Sequence, residues 1–134
     1  MTEGVHVRVG VGRYAFDVRD VREVEDRPPL TPVPGAPDGI VGVCNLRGAV
    51  LPVVQIDHLL GQALDTGRFL VVATADGMVA GIVVDEILGV EPLPAELDAG
   101  STRGVRGSAL VGGELVGVLD AGEILRSLAD AGEG

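Results

Sequence analysis

The sequence predicts an all-β chain built from a duplicated five-stranded unit and finished by a short C-terminal helix. Three observations carry this. Apolar residues make up 46% of the chain, yet only one tyrosine and two phenylalanines are among them, and valine holds 23 positions. Such β-branched side chains suit a pleated, half-buried surface. The 21 glycines and 8 prolines fall between short apolar runs, as turns between strands require. The two halves also align at a nearly constant spacing. Gly42, Gly48, Val50, Val53, Val54, Leu59 and Leu60 map 65 residues on to Gly107, Gly113, Leu115, Val118, Leu119, Ile124 and Leu125. Phe16, Val18, Val21 and Val24 map at a spacing of 66 to Ile82, Val84, Ile87 and Val90. A duplication explains the match; chance likeness between valine-rich hairpins is the competing explanation. At 134 residues the chain is expected to be a single domain of two small barrels, lobes of about 1–66 and 67–134. Each would be marginal alone, so the two would share one core.

The elements follow in order. Val5, Val7, Val9 and Val11 alternate with His6, Arg8 and Gly10, the period of a half-buried strand. On that reading His6 points outward from an edge-like strand. The phase changes at Gly10–Gly12 and Tyr14, Phe16 and Val18 take over, which predicts a hairpin that Val21 and Val24 extend. Residues 28–37 hold five prolines and cannot be helix or central strand. Gly39–Val43 and Ala49–Ile56 read as strands joined by Asn45-Leu46-Arg47-Gly48, where Asn and Gly tolerate the positive φ of a tight turn. Asp57 is expected to cap a short helical turn that carries Leu59 and Leu60 and stops at Gly61.

After the polar stretch Gln62–Arg68, Phe69–Ala73 and Met78–Val84 read as strands around the turn signal Asp76-Gly77. Glu91–Gly104 reads as a loop rich in Pro, Gly and acids. Val105–Val111 and Glu114–Leu119 form a hairpin across Gly112-Gly113. Asp120 with Glu123 makes a capping box for a terminal helix whose apolar face is Ile124, Leu125 and Leu128.

Charge excludes some partners. Twenty acids face ten arginines and no lysine, a net charge of −10; a nucleic-acid ligand needs a basic face, and an anionic membrane surface is disfavoured for the same reason. The lone Cys44 cannot form an internal disulfide and fits a reducing compartment; in its apolar strand it is expected to be a small buried hydrophobe. Met1-Thr2-Glu3-Gly4 shows no signal peptide, and no apolar run approaches the roughly 20 residues that span a bilayer. A cytoplasmic protein is expected.

Few residues suggest chemistry. Asp65-Thr66-Gly67 matches the tripeptide of aspartic proteases, whose dyad needs two carboxylates about 3 Å apart; the bland alternative is a connector loop. Asp57-His58 has no nucleophile beside it, since Ser101, Ser108 and Ser127 lie in a loop, a strand and the last helix. The two histidines and one cysteine have no metal-ligand spacing, and Gly10-Val11-Gly12 lacks the helix start and lysine of a phosphate loop. No catalytic residue, metal or cofactor is expected. Arg47 stands apart: a guanidinium at a hairpin tip between Leu46 and Ala49 is exposed by geometry. It is either a solvated turn residue or an interface anchor, a role in which arginine is common.

The run from Thr31 to Val54, with Asn45-Leu46-Arg47-Gly48 inside it, resembles the signature of the CheW family. Tyr14–Val18, Val21–Val24, Gly81–Asp85, Arg106-Gly107, Gly113–Val116, Leu119-Asp120 and Ile124-Leu125 support the resemblance along nearly the whole chain. It implies two SH3-like five-stranded β-barrel lobes and a non-enzymatic adaptor in chemotaxis-like signal transduction. One lobe would bind the regulatory domain of a CheA-type histidine kinase, the other would pair with a neighbouring regulatory domain, and a groove between them would take a chemoreceptor's cytoplasmic tip. By motif, the groove would use Val21, Glu23, Gly42 and Arg47 with Asn45 of the same turn, faced by Phe69, Leu70 and Ile87. The free protein would be a monomeric, free-standing adaptor with no attached receiver domain. Gln62–Arg68 and Glu91–Gly104 are shorter than the family usually shows, and the second bears on the kinase contact. A scaffold of a non-chemotactic sensory pathway is the alternative within binding modules, a dimeric aspartic protease around Asp65 the alternative among enzymes, and a small-molecule-binding barrel a third.

Overall fold

The computed structural model describes residues 2–99 and 102–133, with side chains as far as Ser127; Ser101 and the side chain of Leu128 lie outside the described residues. Eleven strands run in the order β1 (Thr2–Val9), β2 (Gly12–Asp17), β3 (Val21–Asp26), β4 (Ile40–Leu46), β5 (Ala49–Gln55), β6 (Phe69–Ala75), β7 (Met78–Val84), β8 (Glu86–Leu93), β9 (Asp98–Ala99), β10 (Val105–Val111) and β11 (Glu114–Leu119). The helix α1 (Ala121–Glu133) ends the chain. They form two sheets, of order β8-β1-β2-β11-β10-β9 and β3-β6-β7-β5-β4.

Neither sheet closes through its strand pairings, so the expected barrels are two open sheets. Nor does either sheet keep to one half of the chain. The first takes β1 and β2 from the first repeat and β8 to β11 from the second; the other takes β3, β4 and β5 from the first and β6 and β7 from the second. The boundary near residue 66 therefore marks the sequence repeat, not the sheets. β3 does not extend the first hairpin, as the sequence suggested. The chain leaves β2 through one tight turn, Val18–Asp20, and enters the other sheet. The second repeat makes the same crossing at Asp85, between β7 and β8.

The duplication holds at the level of single pairings. Val21 stands opposite Ala73 with a bulge before the Glu23–Val72 pair; at a spacing of 66, Ile87 stands opposite Val7 with a bulge before the Gly89–His6 pair. The parallel pairs Val53–Gly81 and Val54–Ile82 recur as Val118–Ala15 and Leu119–Phe16. The bulge that sets Gly42 opposite Val53 recurs with Gly107 opposite Val118. Both glycines are forced by a close approach: a Cβ would lie 2.6 Å from the Thr31 carbonyl oxygen at Gly42 and 2.5 Å from that of Asp98 at Gly107.

The turns follow the chemistry of the sequence. Asp76-Gly77 and Gly112-Gly113 both take positive φ, the twist that a two-residue hairpin needs. At the β4–β5 turn the positive angles fall on Arg47 (φ 50°) and Gly48 (φ 84°) rather than on Asn45. Asp57–Gly61 is a single bonded turn in which the Leu60 amide donates to the Ile56 carbonyl at 3.0 Å, and it stops at Gly61 (φ 65°). The Asp120 side chain does cap α1, accepting from the Glu123 amide at 3.0 Å. Glu91–Gly104 is not all loop: β8 continues through Leu93, and β9 borders β10 at Gly107 and Ser108.

The core has three parts. Val5, Val7, Val9 and Phe16 from one sheet meet Val54, Val71, Ala73, Ile82 and Val84 from the other, and Leu119, Ala121 and Ile124 complete this central layer. Each sheet also buries its outer face: Cys44, Leu51, Val53, Leu70, Val72 and Val83 in the second, and Ala15, Leu93, Val116 and Val118 in the first. β1 is thus a central strand buried on both faces, and His6, expected outside, is fully enclosed.

Candidate partner-binding site

The β4–β5 turn presents Arg47 and fixes its direction. A left-handed conformation costs an L side chain about 1–2 kcal/mol, and the Asn45 side chain offsets part of this by accepting from the Gly48 amide at 3.0 Å. The guanidinium then reaches β3, on the opposite edge of the same sheet. Its Nη1 donates to Glu25 Oε1 at 2.6 Å and its Nη2 donates to Glu23. The arginine side chain stays 60% exposed while the two glutamates are about 30% exposed, so the cation is oriented yet open to solvent. Below it Arg22, Glu23, Leu46, Ala49, Leu51 and Val72 line a cleft of about 240 Å³.

The expected groove residues divide into three groups. Glu23, Asn45 and Arg47 come together at this cleft. Val21, Phe69 and Ile87 are partly buried along the rim of the central core, with the Arg68 guanidinium 5.5 Å from the centre of the Phe69 ring. Gly42 and Leu70 present no surface: Gly42 is the bulge against Thr31, and Leu70 is fully buried beside Cys44 and Leu51. Glu25 was missed, although Glu23 and Glu25 at alternate positions of one strand share a face.

A second polar cluster, also missed, occupies the first sheet. Arg13 is only 13% exposed; it donates to Glu114 Oε1 at 3.2 Å, pairs with Glu91 and donates through Nε to His6 Nδ1 at 3.3 Å. Since Nδ1 accepts, the ring proton sits on Nε2, which is buried without a partner. Burial foremost, then the neighbouring Arg13, pushes the His6 pKa down. Arg8 adds contacts of 3.4 Å to Glu114 and 3.7 Å to Glu86. Valines alternating with polar residues read as one wet and one dry face; two-sided burial of β1 breaks that rule.

The catalytic-looking segment has a structural job. The Asp85 carboxylate accepts from the backbone amides of Gly10 at 2.7 Å, Asp65 at 3.0 Å and Gly67 at 2.7 Å. Burial raises its pKa, but these donors together with the Thr66 amide outweigh it and hold the carboxyl below its ordinary value. Asp65-Thr66-Gly67 thus supplies backbone N–H groups to one carboxylate and fastens the inter-repeat connector to the β1–β2 turn. His58 and Ser127 line one cavity of about 350 Å³ with Asp38, Leu59, Arg103 and Ile124, and no hydrogen bond joins them among the described residues. No helix among those residues is long and apolar enough to cross a membrane.

Comparison with known proteins agrees with this architecture. The profile of the family described as the CheW-like domain matches residues 3–129. The protein named "Chemotaxis protein CheW" of Rhizobium meliloti is 40% identical over 88 residues, which is 63% of this chain and 57% of that protein. The protein named PilI of Pseudomonas aeruginosa is 33% identical over 97 residues, 69% of this chain and 54% of that protein. The chain thus spans little more than half the length of these curated relatives. The crystal structure of the scaffolding protein TtCheW from Thermoanaerobacter tengcongensis superposes with a TM-score of 0.80, covering 90% of this chain and 85% of that one at 22% identity.

Proposed function

Since the chain belongs to the CheW-like domain family, we propose that it is a non-enzymatic adaptor coupling chemoreceptors to a CheA-type histidine kinase in the cytoplasm. On this reading the two sheets act as SH3-like lobes of a single domain. One lobe docks the kinase regulatory domain, and a chemoreceptor tip lies along Val21, Glu23, Asn45, Arg47, Phe69 and Ile87. Leu70 and Gly42 support that surface from beneath.

The observation that carries the proposal is the held but exposed Arg47. Its two glutamates fix the guanidinium at the mouth of a mixed cleft, where an incoming helix can bury apolar side chains against Leu46, Ala49 and Leu51 and offer a carboxylate. A contact of this size fits a micromolar Kd, about −8 kcal/mol. The similarity to PilI, a relative of another name, favours a second reading in which the same scaffold serves a different sensory pathway.

The test is binding of the purified chain to the regulatory domain of a CheA-type kinase and to a receptor-tip bundle, with Arg47→Glu and Ile87→Glu beside it. The adaptor role predicts kinase binding by all three and tip binding lost in both variants. Failure to bind any kinase domain overturns the proposal; binding only to a kinase of a non-chemotactic system selects the second reading.

A further inference from the structure

The two repeats use one equivalent position in opposite ways. In the first sheet the Tyr14 ring lies over two glycines. A Cβ at Gly12 would stand 2.6 Å from Tyr14 Cε2, and one at Gly117 would stand 2.9 Å from its Cδ1. Gly12 precedes Tyr14 by two residues on β2, and Gly117 faces it on β11. The ring packs against the central core, and its hydroxyl accepts from Gln62 Nε2 at 3.1 Å. One large side chain thus fills the space that two glycines leave open.

The second sheet inverts these sizes. At a spacing of 66, Gly12 and Tyr14 correspond to Met78 and Ala80; at 65, Gly117 corresponds to Pro52. The strands meet in the same register, Val53 with Gly81 as Val118 with Ala15. A small middle residue now stands between two large neighbours. Ile40, Pro52, Val54, Met78, Ala80 and Leu125 line an open apolar cleft of about 270 Å³. Ile40, Val54 and Leu125 are the equivalents of Val105, Leu119 and Leu60, which belong with Tyr14 to the central core and its margin. The apolar surroundings recur, and the ring is what the second sheet lacks. Val50, 67% exposed, shares the Pro52 face of β5 and extends its wall outward.

We propose that this cleft is a socket for the ring of a tyrosine or phenylalanine carried by a partner protein. The occupant is read from the other sheet, where the fold supplies its own ring at the equivalent place. Size agrees: about 150 Å³ of apolar cavity takes one benzene ring, and sites for whole small molecules run from about 300 to 1,000 Å³. The cleft is open beside the exposed Val50, which leaves room for the backbone that carries the ring. The Met78 thioether is a favourable neighbour for an aromatic edge, and an aromatic side chain seated in a pre-formed pocket is a common interface anchor. The site is separate from the Arg47 cleft, because β5 sends Leu51 to that cleft and Pro52 to this one from opposite faces. Both can therefore be filled at once, and the inference does not depend on what Arg47 binds.

Methyl NMR of the full chain tests this with p-cresol, a capped alanine pentapeptide with tyrosine at its centre, and the same peptide with leucine there. Ring-current shifts of the Met78 and Leu125 methyls are expected with p-cresol and with the tyrosine peptide at millimolar concentration. The leucine peptide should bind more weakly. Ala80→Tyr fills the socket from within, so its Met78 methyl should be shifted before any probe is added and should not respond to one. No shift with p-cresol or the tyrosine peptide overturns the proposal, as does a response undiminished in folded Ala80→Tyr. A response to p-cresol alone marks a small-molecule site and overturns the protein occupant, and equal binding of the two peptides overturns the aromatic one. If Ala80→Tyr does not fold, Met78→Ala decides, read at the Leu125 methyls. Loss of this partly exposed wall should weaken the tyrosine peptide by about threefold, and unchanged binding overturns the proposal.

Discussion

Arg47 and Glu25 meet at 2.6 Å although they belong to opposite margins of one sheet, the β4–β5 hairpin and β3. The sheet curls until its two unpaired edges face each other, and an ion pair spans the gap that no backbone ladder closes. Such pairs between largely exposed groups contribute little to stability, about 0–1 kcal/mol. Their worth here is orientation.

Arg47→Ala should therefore leave the urea unfolding midpoint nearly unchanged while weakening receptor-tip binding by tenfold or more, as expected of an anchor arginine. Glu25→Gln should have a smaller effect in the same direction, because Glu23 still holds the guanidinium. Calorimetric titration against a tip bundle, paired with urea unfolding, separates the two quantities. A large stability loss with unchanged affinity would make the clamp structural.

Leu70 should behave in the opposite way. It is fully enclosed, so Leu70→Ala is expected to cost about 2–5 kcal/mol through lost burial and the cavity left behind. The folded fraction should bind its partners as before. Equilibrium unfolding and binding measured on one sample check this, and selective loss of tip binding at full stability would return Leu70 to the contact surface.

Much of the fold is legible in the sequence because local rules and tertiary demands agree. The strands Met78–Val84, Val105–Val111 and Glu114–Leu119 were expected with those bounds, and Asp76-Gly77, Gly112-Gly113 and Asp120 fix turns and a cap by local chemistry alone. The hairpin exchange was not legible. The periodicity of Val5, Val7 and Val9 says that a strand has a dry face but not which sheet supplies its neighbours. His6 shows the same limit, since a polar residue alternating with valines looks wet until a second layer covers it. At the site, Arg47 stood out as a lone guanidinium on a tight turn; Glu25 did not, because its partner is set by the curl of a sheet.

Asp85→Asn should loosen the connector between the repeats. An amide oxygen can still accept some of the backbone donors, but the second oxygen becomes an NH₂ group facing N–H groups, for an expected loss of about 1.5–3 kcal/mol. The folded carboxyl titrates below its ordinary value, so its contribution is present above about pH 4 and is lost as pH falls through the depressed folded value. Urea unfolding across pH 3–7, with and without the substitution, should show the difference shrinking toward the acid end. A difference that is constant with pH would refute the assignment.

His6 should give a second pH dependence at higher values. Its folded pKa is lowered, so the folded state resists the proton more than the unfolded chain does. Stability should be undiminished above about pH 6.5, fall as pH drops below that value, and level off below the folded pKa. The imidazole would then be a cation beside Arg13, with Glu91 the acid that acts on it directly. His6→Val should remove this slope between neutral pH and the folded pKa while leaving the Asp85 effect at lower pH.

Because the repeats trade hairpins, neither 1–66 nor 67–134 contains a complete sheet, and each supplies strands that the other's sheet requires. A protease that cut once within Gln62–Arg68 would sever the covalent link between the repeats without separating them. The two fragments would remain one particle, visible as two bands only after denaturation.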